Sequence, residues 1–131
     1  MNNQEIRDRN LQTVARYYQA ERDRDLSTWA TFWRADGRQV FATLGDAATV
    51  AGIDDLIEGT RTKFETRPPY GIAHRIMPFE DPTQIFVELT LDYADRPDVV
   101  LWCIFTFDAD GLIAQINELY DRGLLPARTA Q

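Results

Sequence analysis

The sequence predicts an α+β fold, a curved antiparallel sheet packed against helices that come mainly from the first third of the chain. Two observations carry this expectation. Apolar residues recur at helical spacing early in the chain and again before Pro68-Pro69, whereas from Gly71 onward the period changes from 3.6 to 2 and four strands follow in a row. A third observation is the carboxylate of Glu118, set on an otherwise apolar face of the last strand. Helices covering the concave side of such a meander leave a pocket between the layers.

Leu11, Val14, Ala15 and Tyr18 lie at i, i+3, i+4 and i+7, the stripe of an amphipathic helix over residues 4–22. Tyr17 and Tyr18 are adjacent, so one of them at most is expected to point inward. Asp25 reads as the N-cap of a short second helix through Leu26, Trp29, Phe32 and Trp33, with Gly37 as its C-terminal stop. Residues 38–44 read as a first strand, Val40, Ala42 and Leu44 alternating against Gln39, Phe41 and Thr43. Ile53, Leu56, Ile57, Thr60 and Phe64 mark a third helix, with Asp54 and Asp55 at its start and Arg61, Lys63 and Arg67 towards its end, as the macrodipole favours. Pro68-Pro69 stops it.

Strands are then expected over residues 72–79, 84–93, 99–107 and 112–121, followed by a tail from Gly123 to Gln131. The connections are Glu80-Asp81-Pro82-Thr83, Asp95-Arg96-Pro97-Asp98 and Asp108-Ala109-Asp110-Gly111, the last a hairpin turn in which Gly111 is free to take positive φ. Val99-Val100-Leu101-Trp102-Cys103-Ile104-Phe105 does not alternate, so both faces of the sheet are expected to be covered there. Helices account for one face. For the other the sequence leaves two covers, a second copy of the chain or the folded-over tail, and the homodimer is favoured because it is the commonest oligomer.

At 131 residues the chain is expected to form one domain over 1–131, large enough for its own core. Its net charge of −7 leaves no basic face for nucleic acid. The N-terminus, Met1-Asn2-Asn3-Gln4-Glu5, has no basic start followed by an apolar run, and no segment of about 18 apolar residues occurs. No signal peptide and no membrane segment are therefore expected, and one cysteine, Cys103, leans to a cytoplasmic location.

Glu118 is the leading catalytic candidate, because Ala114, Ile116 and Tyr120 share its face and desolvation moves a carboxyl towards the range of a general acid/base. The plain alternative is a strand-end glutamate in solvent or paired with an arginine. His74, flanked on its face by Ile72 and Ile76, is either a pocket base, a bonded core histidine or a residue of the dimer side. Asp92 and Glu88 share a face; if concave, Asp92 is an alternative carboxylate, and if not, both are surface charge. Tyr18, Trp33, Asp92, Trp102 and Tyr120 are the candidates for ligand contact, with core packing the competing role for the aromatics. One histidine among scattered carboxylates is not metal-ligand spacing, and no Gly-rich phosphate loop occurs, so neither metal nor cofactor is expected.

Three stretches resemble a known family. Asn10 to Gly37 looks like its first two helices, ending in Ala35-Asp36-Gly37. Phe79-Glu80-Asp81-Pro82-Thr83-Gln84-Ile85-Phe86-Val87-Glu88 looks like its turn-and-strand segment, and Asp108-Ala109-Asp110-Gly111 through Ile116-Asn117-Glu118-Leu119-Tyr120-Asp121 like its last hairpin. The layout resembles the cone-shaped NTF2-like (cystatin-like) superfamily, a curved sheet wrapped around three N-terminal helices. Within it the chain is similar to the SnoaL-like polyketide cyclases and most to phenazine-biosynthesis proteins of the PhzA/PhzB type. The resemblance implies that Glu118 matches the last-strand glutamate that acts as acid/base there. It also implies a histidine on the third helix, where this sequence has Leu56-Ile57-Glu58-Gly59-Thr60.

The function expected is a small cofactor-independent acid/base enzyme (isomerase, cyclase, dehydratase or condensing enzyme) acting on an apolar carbonyl-bearing metabolite, in secondary metabolism. Glu118 would carry the proton, with His74 or a tyrosine as polar partner. The alternative is a non-catalytic ligand-binding or dimeric interaction module on the same fold.

Overall fold

The computed structural model describes residues 1–120; the expected tail and Asp121 lie outside the described residues. Helix α1 (Asn3–Arg22) opens with a capping box in which the Asn2 side chain accepts from the Glu5 N–H and Glu5 reaches back to Asn2. Helix α2 (Leu26–Thr31) is capped by Asp25 as expected. Strand β1 (Trp33–Phe41), a two-residue strand β2 (Val50–Ala51) and helix α3 (Ile53–Thr66) follow. The chain then runs through β3 (Tyr70–Pro78), β4 (Gln84–Tyr93), β5 (Val99–Phe107) and β6 (Ile113–Leu119). No helix among the described residues is long and apolar enough to cross a membrane.

The six strands form one sheet in the order β2-β1-β6-β5-β4-β3. Every neighbouring pair is antiparallel except β1 and β6, which run parallel. The expected α+β class therefore holds, with a mixed sheet at one seam. Alternation decides the faces. Ile85, Val87, Leu89, Leu91 and Tyr93 of β4 and Val99, Leu101, Cys103, Phe105 and Phe107 of β5 are all buried beneath the helices. Val14, Tyr17, Tyr18, Trp29 and Leu56 meet them from the helices, and Trp33 joins the same cluster from β1.

The expected second helix is too long and the first strand starts too late. Helix α2 ends at Thr31 because the chain is taken up by the sheet: Ile113 N–H donates to Phe32 O (2.8 Å), and Trp33 pairs with Ile113. Gly37 is consequently a strand residue in a bulge between Trp33 and Arg38, where the chain curls back over the Trp33 ring. A Cβ at Gly37 would stand 2.6 Å from Trp33 Cε3 and 3.0 Å from Arg34 O. Trp33 is buried against Tyr17 and Trp29 and has little room to yield. Gly37→Ala is therefore expected to cost about 1–3 kcal/mol, the range of overpacked cores. Urea denaturation measures it, and wild-type stability would show that the bulge opens freely.

Polar contacts set where α1 lies on the sheet. Asn10, fully buried, donates through Nδ2 to Pro82 O (3.0 Å) in the β3–β4 turn, and Arg7 donates to Glu80 O (2.8 Å) in the same turn. Arg24 is the one described non-glycine residue with positive φ (50°), and its guanidinium donates to Phe64 O, Arg67 O and Pro68 O at the C-terminal end of α3. The same guanidinium lies over the Tyr70 ring, 5.3 Å from its centroid. These contacts bring the last turns of α1 and α3 together above the inner face of the sheet.

Candidate active site

Glu118 stands on β6 opposite Cys103 of β5 and Phe41 of β1. Cys103 is fully buried on the helix-facing side, so Glu118, directly across from it, faces the helices as well. Gln39 lies two residues before Phe41 on the same face, and its Nε2 donates to Glu118 Oε1 at 2.8 Å. Burial raises the carboxyl of Glu118 above its ordinary value. The positive charge of Lys63 and the Gln39 hydrogen bond pull it back, Glu21 pushes it further up, and Arg67 opposes that.

Both adjacent tyrosines point inward, contrary to the expectation of one at most. Tyr17 is 4% and Tyr18 2% exposed, and their rings meet edge to face at 5.3 Å. The reason is that α1 is covered on both flanks. Successive residues diverge by about 100° on a helix. Tyr17 turns towards Trp29 and Trp33 (5.7 and 6.2 Å between centroids), while Tyr18 turns towards β3 and stacks on His74 at 5.6 Å. Phe105 of β5 supports both, at 5.5 and 5.9 Å. Burial keeps both phenols well above their ordinary range, so each is a neutral hydrogen-bond donor.

His74 lies on the inner face of β3 but does not meet Glu118. Glu118 shares its cross-strand row with Cys103, Val87 and Ile76, whereas His74 sits opposite Leu89, two residues along. From β6 to β3 there are three strand spacings, about 14 Å at roughly 4.8 Å each. Its Nδ1 instead accepts from Arg22 Nη2 at 2.9 Å, while Arg22 Nε donates to Ile72 O at 3.1 Å. That contact assigns the ring proton to Nε2. Burial, and secondarily Arg22, lower the His74 pKa, so the ring is neutral near pH 7.

The remaining candidates separate by face. Asp92 and Trp102 lie on the outer face and do not line the inner site. Asp92 edges a shallow, open depression of about 240 Å³ formed with Pro69, Tyr70, Gly71 and Ala94. Trp102 is 50% exposed, and its indole N–H donates to Glu88 Oε2 at 3.2 Å. Their orientation follows from register: Ile85 and Cys103 mark the inner parity of β4 and β5, and Asp92 and Trp102 have the other. Trp33 is inside, with its indole N–H lacking a hydrogen-bond partner. Tyr120, half-buried, packs edge to face on Phe41 at 6.1 Å. Among the described residues no group of three or more His, Cys, Asp or Glu side chains could hold a metal ion.

Sequence reasoning missed Gln39, Glu21 and Lys63 as site residues. Glu21, 6% exposed, accepts from the Tyr70 hydroxyl (2.9 Å) and pairs with Lys63 Nζ (3.4 Å). A signal existed. Glu21 continues the buried stripe of α1 at i+7 from Val14 and i+4 from Tyr17, and Lys63 lies i+7 from Leu56 and i+3 from Thr60.

A curved sheet wrapped around helices, with a desolvated carboxylate on its inner face, has the shape of the cone-like NTF2-like or cystatin-like fold. Neither a protein-family profile nor any curated protein sequence matches the chain. Solved structures do match, and they share this fold. A candidate ketosteroid isomerase from Kribbella flavida is 14% identical, with 95% of this chain and 86% of that chain aligned and a TM-score of 0.74. A candidate polyketide cyclase from Pseudomonas putida is 15% identical over 86% and 91% of the two chains, TM-score 0.70. An epoxide hydrolase from Mycobacterium tuberculosis, of the kind called LEH-like, is 16% identical over 90% and 86%, TM-score 0.71. The likeness is one of fold. The narrower resemblance to PhzA/PhzB-type proteins rests on the sequence stretches alone.

Proposed function

We propose that this chain is a small cofactor-independent acid/base enzyme acting on an apolar, carbonyl-bearing metabolite, by isomerisation, cyclisation, dehydration or condensation. One observation carries the reading: Glu118 is held by Gln39 on the inner face with its carboxyl raised by burial. A carboxylate with a raised pKa is a stronger base than one in water and is matched more closely to a carbon acid. In the simplest such reaction, Glu118 takes a proton from the carbon next to a ketone, the electron pair moves onto the carbonyl oxygen, and the carboxylic acid returns the proton at a conjugated position. Tyr17 or Tyr18, neutral at every working pH, donates to the carbonyl oxygen as charge develops there. That solved structures of this fold include proteins named as isomerases, cyclases and an epoxide hydrolase supports the class.

A β,γ-unsaturated cyclic ketone tests the reading directly, because its conversion to the conjugated isomer is followed by ultraviolet absorbance. Wild-type protein should accelerate it and Glu118→Gln should not. Binding of the ketone with no acceleration by the wild type would move the assignment to a ligand-binding module.

The protein is further proposed to work as a cytoplasmic homodimer in secondary metabolism, its copies meeting through the outer face of the sheet. Val100 (48%), Trp102 (50%) and Leu119 (44%) are exposed there, beside Phe86 and Ile104. So much contiguous apolar surface marks an interaction face. Sedimentation at micromolar concentration is expected to give twice the chain mass, and Trp102→Asp to give the monomer. A wild-type monomer would exclude the interface.

A further inference from the structure

The proposed reaction leaves His74, the one histidine of the chain, without a task, yet α1 holds it through two side chains. Tyr18 and Arg22 are i and i+4 on α1 and so stand on the same flank of the helix. The Tyr18 ring stacks on the imidazole, 5.6 Å between centroids and 26° between planes. The Arg22 guanidinium forks: Nη2 donates to His74 Nδ1 at 2.9 Å and Nε to Ile72 O at 3.1 Å. Ile72 and His74 are i and i+2 on β3, an edge strand of the sheet, so both present the same face to α1.

The fork has a chemical condition. A guanidinium only donates and is never deprotonated, so it can bind His74 only through a bare ring nitrogen. A protonated imidazole has none, and would set a second cation against Arg22. Among the described residues no carboxylate pairs with either group: Leu89 is the residue opposite His74 on β4, and Glu21, next to Arg22, is taken by Tyr70 and Lys63. Glu21 and Arg24 fasten the end of α1 independently, to Tyr70 and to the end of α3. A proton on His74 therefore frees the Tyr18 flank and leaves the helix in place.

We propose that His74 is a positioning residue: neutral and forked to Arg22, it holds the ring of Tyr18, one of the two phenols offered to the substrate carbonyl, and releases it on taking up a proton. The inference deepens the acid/base reading and rests on it for the role of Tyr18. As the one histidine, His74 is identified at once in the NMR spectrum of the full chain, and the Tyr18 ring signals are assigned by their absence in Tyr18→Phe. At neutral pH the imidazole should be the Nε2–H tautomer with a nuclear Overhauser contact to Tyr18. Burial, and after it the Arg22 charge, should make it titrate below the ordinary 6.5, and the ring contact should be lost at the same midpoint. Arg22→Met should move the midpoint up towards 6.5 and weaken the ring contact already at neutral pH.

An Nδ1–H tautomer, a ring contact that persists through the titration, or an unmoved midpoint in Arg22→Met each overturns the proposal. Should Arg22→Met not fold, the wild-type titration decides alone: loss of the contact at the midpoint supports the hold, and its persistence excludes it. In the ketone assay Arg22→Met should lower kcat by up to about 10²-fold with KM unchanged, because the donor is loosened and not removed. An unchanged kcat overturns the positioning role. The NMR measurement needs no substrate, so its failure is distinct from turnover surviving in Glu118→Gln, which would overturn the catalytic reading instead.

Discussion

Glu118→Gln is expected to remove proton transfer, by about 10²–10⁴-fold in rate, the usual contribution of a positioned acid/base group. Glutamine keeps the acceptor oxygen that takes the Gln39 N–H, so the local geometry survives the change. It has no proton to exchange near neutral pH. The same variant should be more stable than the wild type. With its pKa raised in the folded state, Glu118 binds its proton more tightly there than in the unfolded chain, whose value stays near the ordinary 4.5. As pH rises from 4.5 through the raised value, the folded state is held increasingly in its unfavourable ionised form, and stability declines. Above that window the full cost remains; below 4.5 both states are protonated and it vanishes. Melting curves should therefore show Glu118→Gln ahead of the wild type at neutral and alkaline pH, with the gap closing in acid. A gap that widened in acid would mean that Glu118 is stabilised as a carboxylate, which would remove the basis of its role. Loss of function combined with gain of stability is the signature of a residue kept for chemistry.

Phe105→Ala is expected to produce the largest loss of stability, about 3–5 kcal/mol, as for other fully buried aromatic residues cut to alanine. Phe105 is completely buried in the middle of β5, and the Tyr17, Tyr18 and Phe107 rings all rest on it at 5.5–6.1 Å. The cavity would open where α1 sits on the sheet. For a domain of this size that corresponds to a fall of about 10–20 °C in melting temperature. Calorimetry measures it. A fall of only a few degrees would show that the two tyrosines collapse into the gap, and the inner site would then be more plastic than its packing indicates.

Some of this was legible in the chain itself. Strand β4 begins and ends where its alternation does, β5 covers the apolar run between two turns, α3 runs between its acidic start and Pro68, and Asp25 caps α2. Each depends on a local pattern of period 2 or 3.6, on a cap or on a proline, all of which act within a few residues. The same locality made Glu118 recognisable, since a charge among Ala114, Ile116 and Tyr120 stands out on any strand.

What only the tertiary structure decided depends on partners far away in sequence. Trp33 became strand rather than helix because Ile113, 80 residues later, offers it a parallel edge. Tyr17 and Tyr18 are both buried because α2 covers one flank of α1 while β3 receives the other. Asp92 and Trp102 went to the outer face and Ile85 and Cys103 to the inner, although alternation alone reads the same either way round; which parity is buried is settled only when the helices land. His74 and Glu118, both on the inner face, are separated by two intervening strands. Glu21 and Lys63 continue the apolar stripes of their own helices, but become an ion pair only because α1 and α3 converge at their C-terminal ends. A sequence determines which face of an element is apolar; the energy of burying a charge depends on what the neighbouring element brings to meet it.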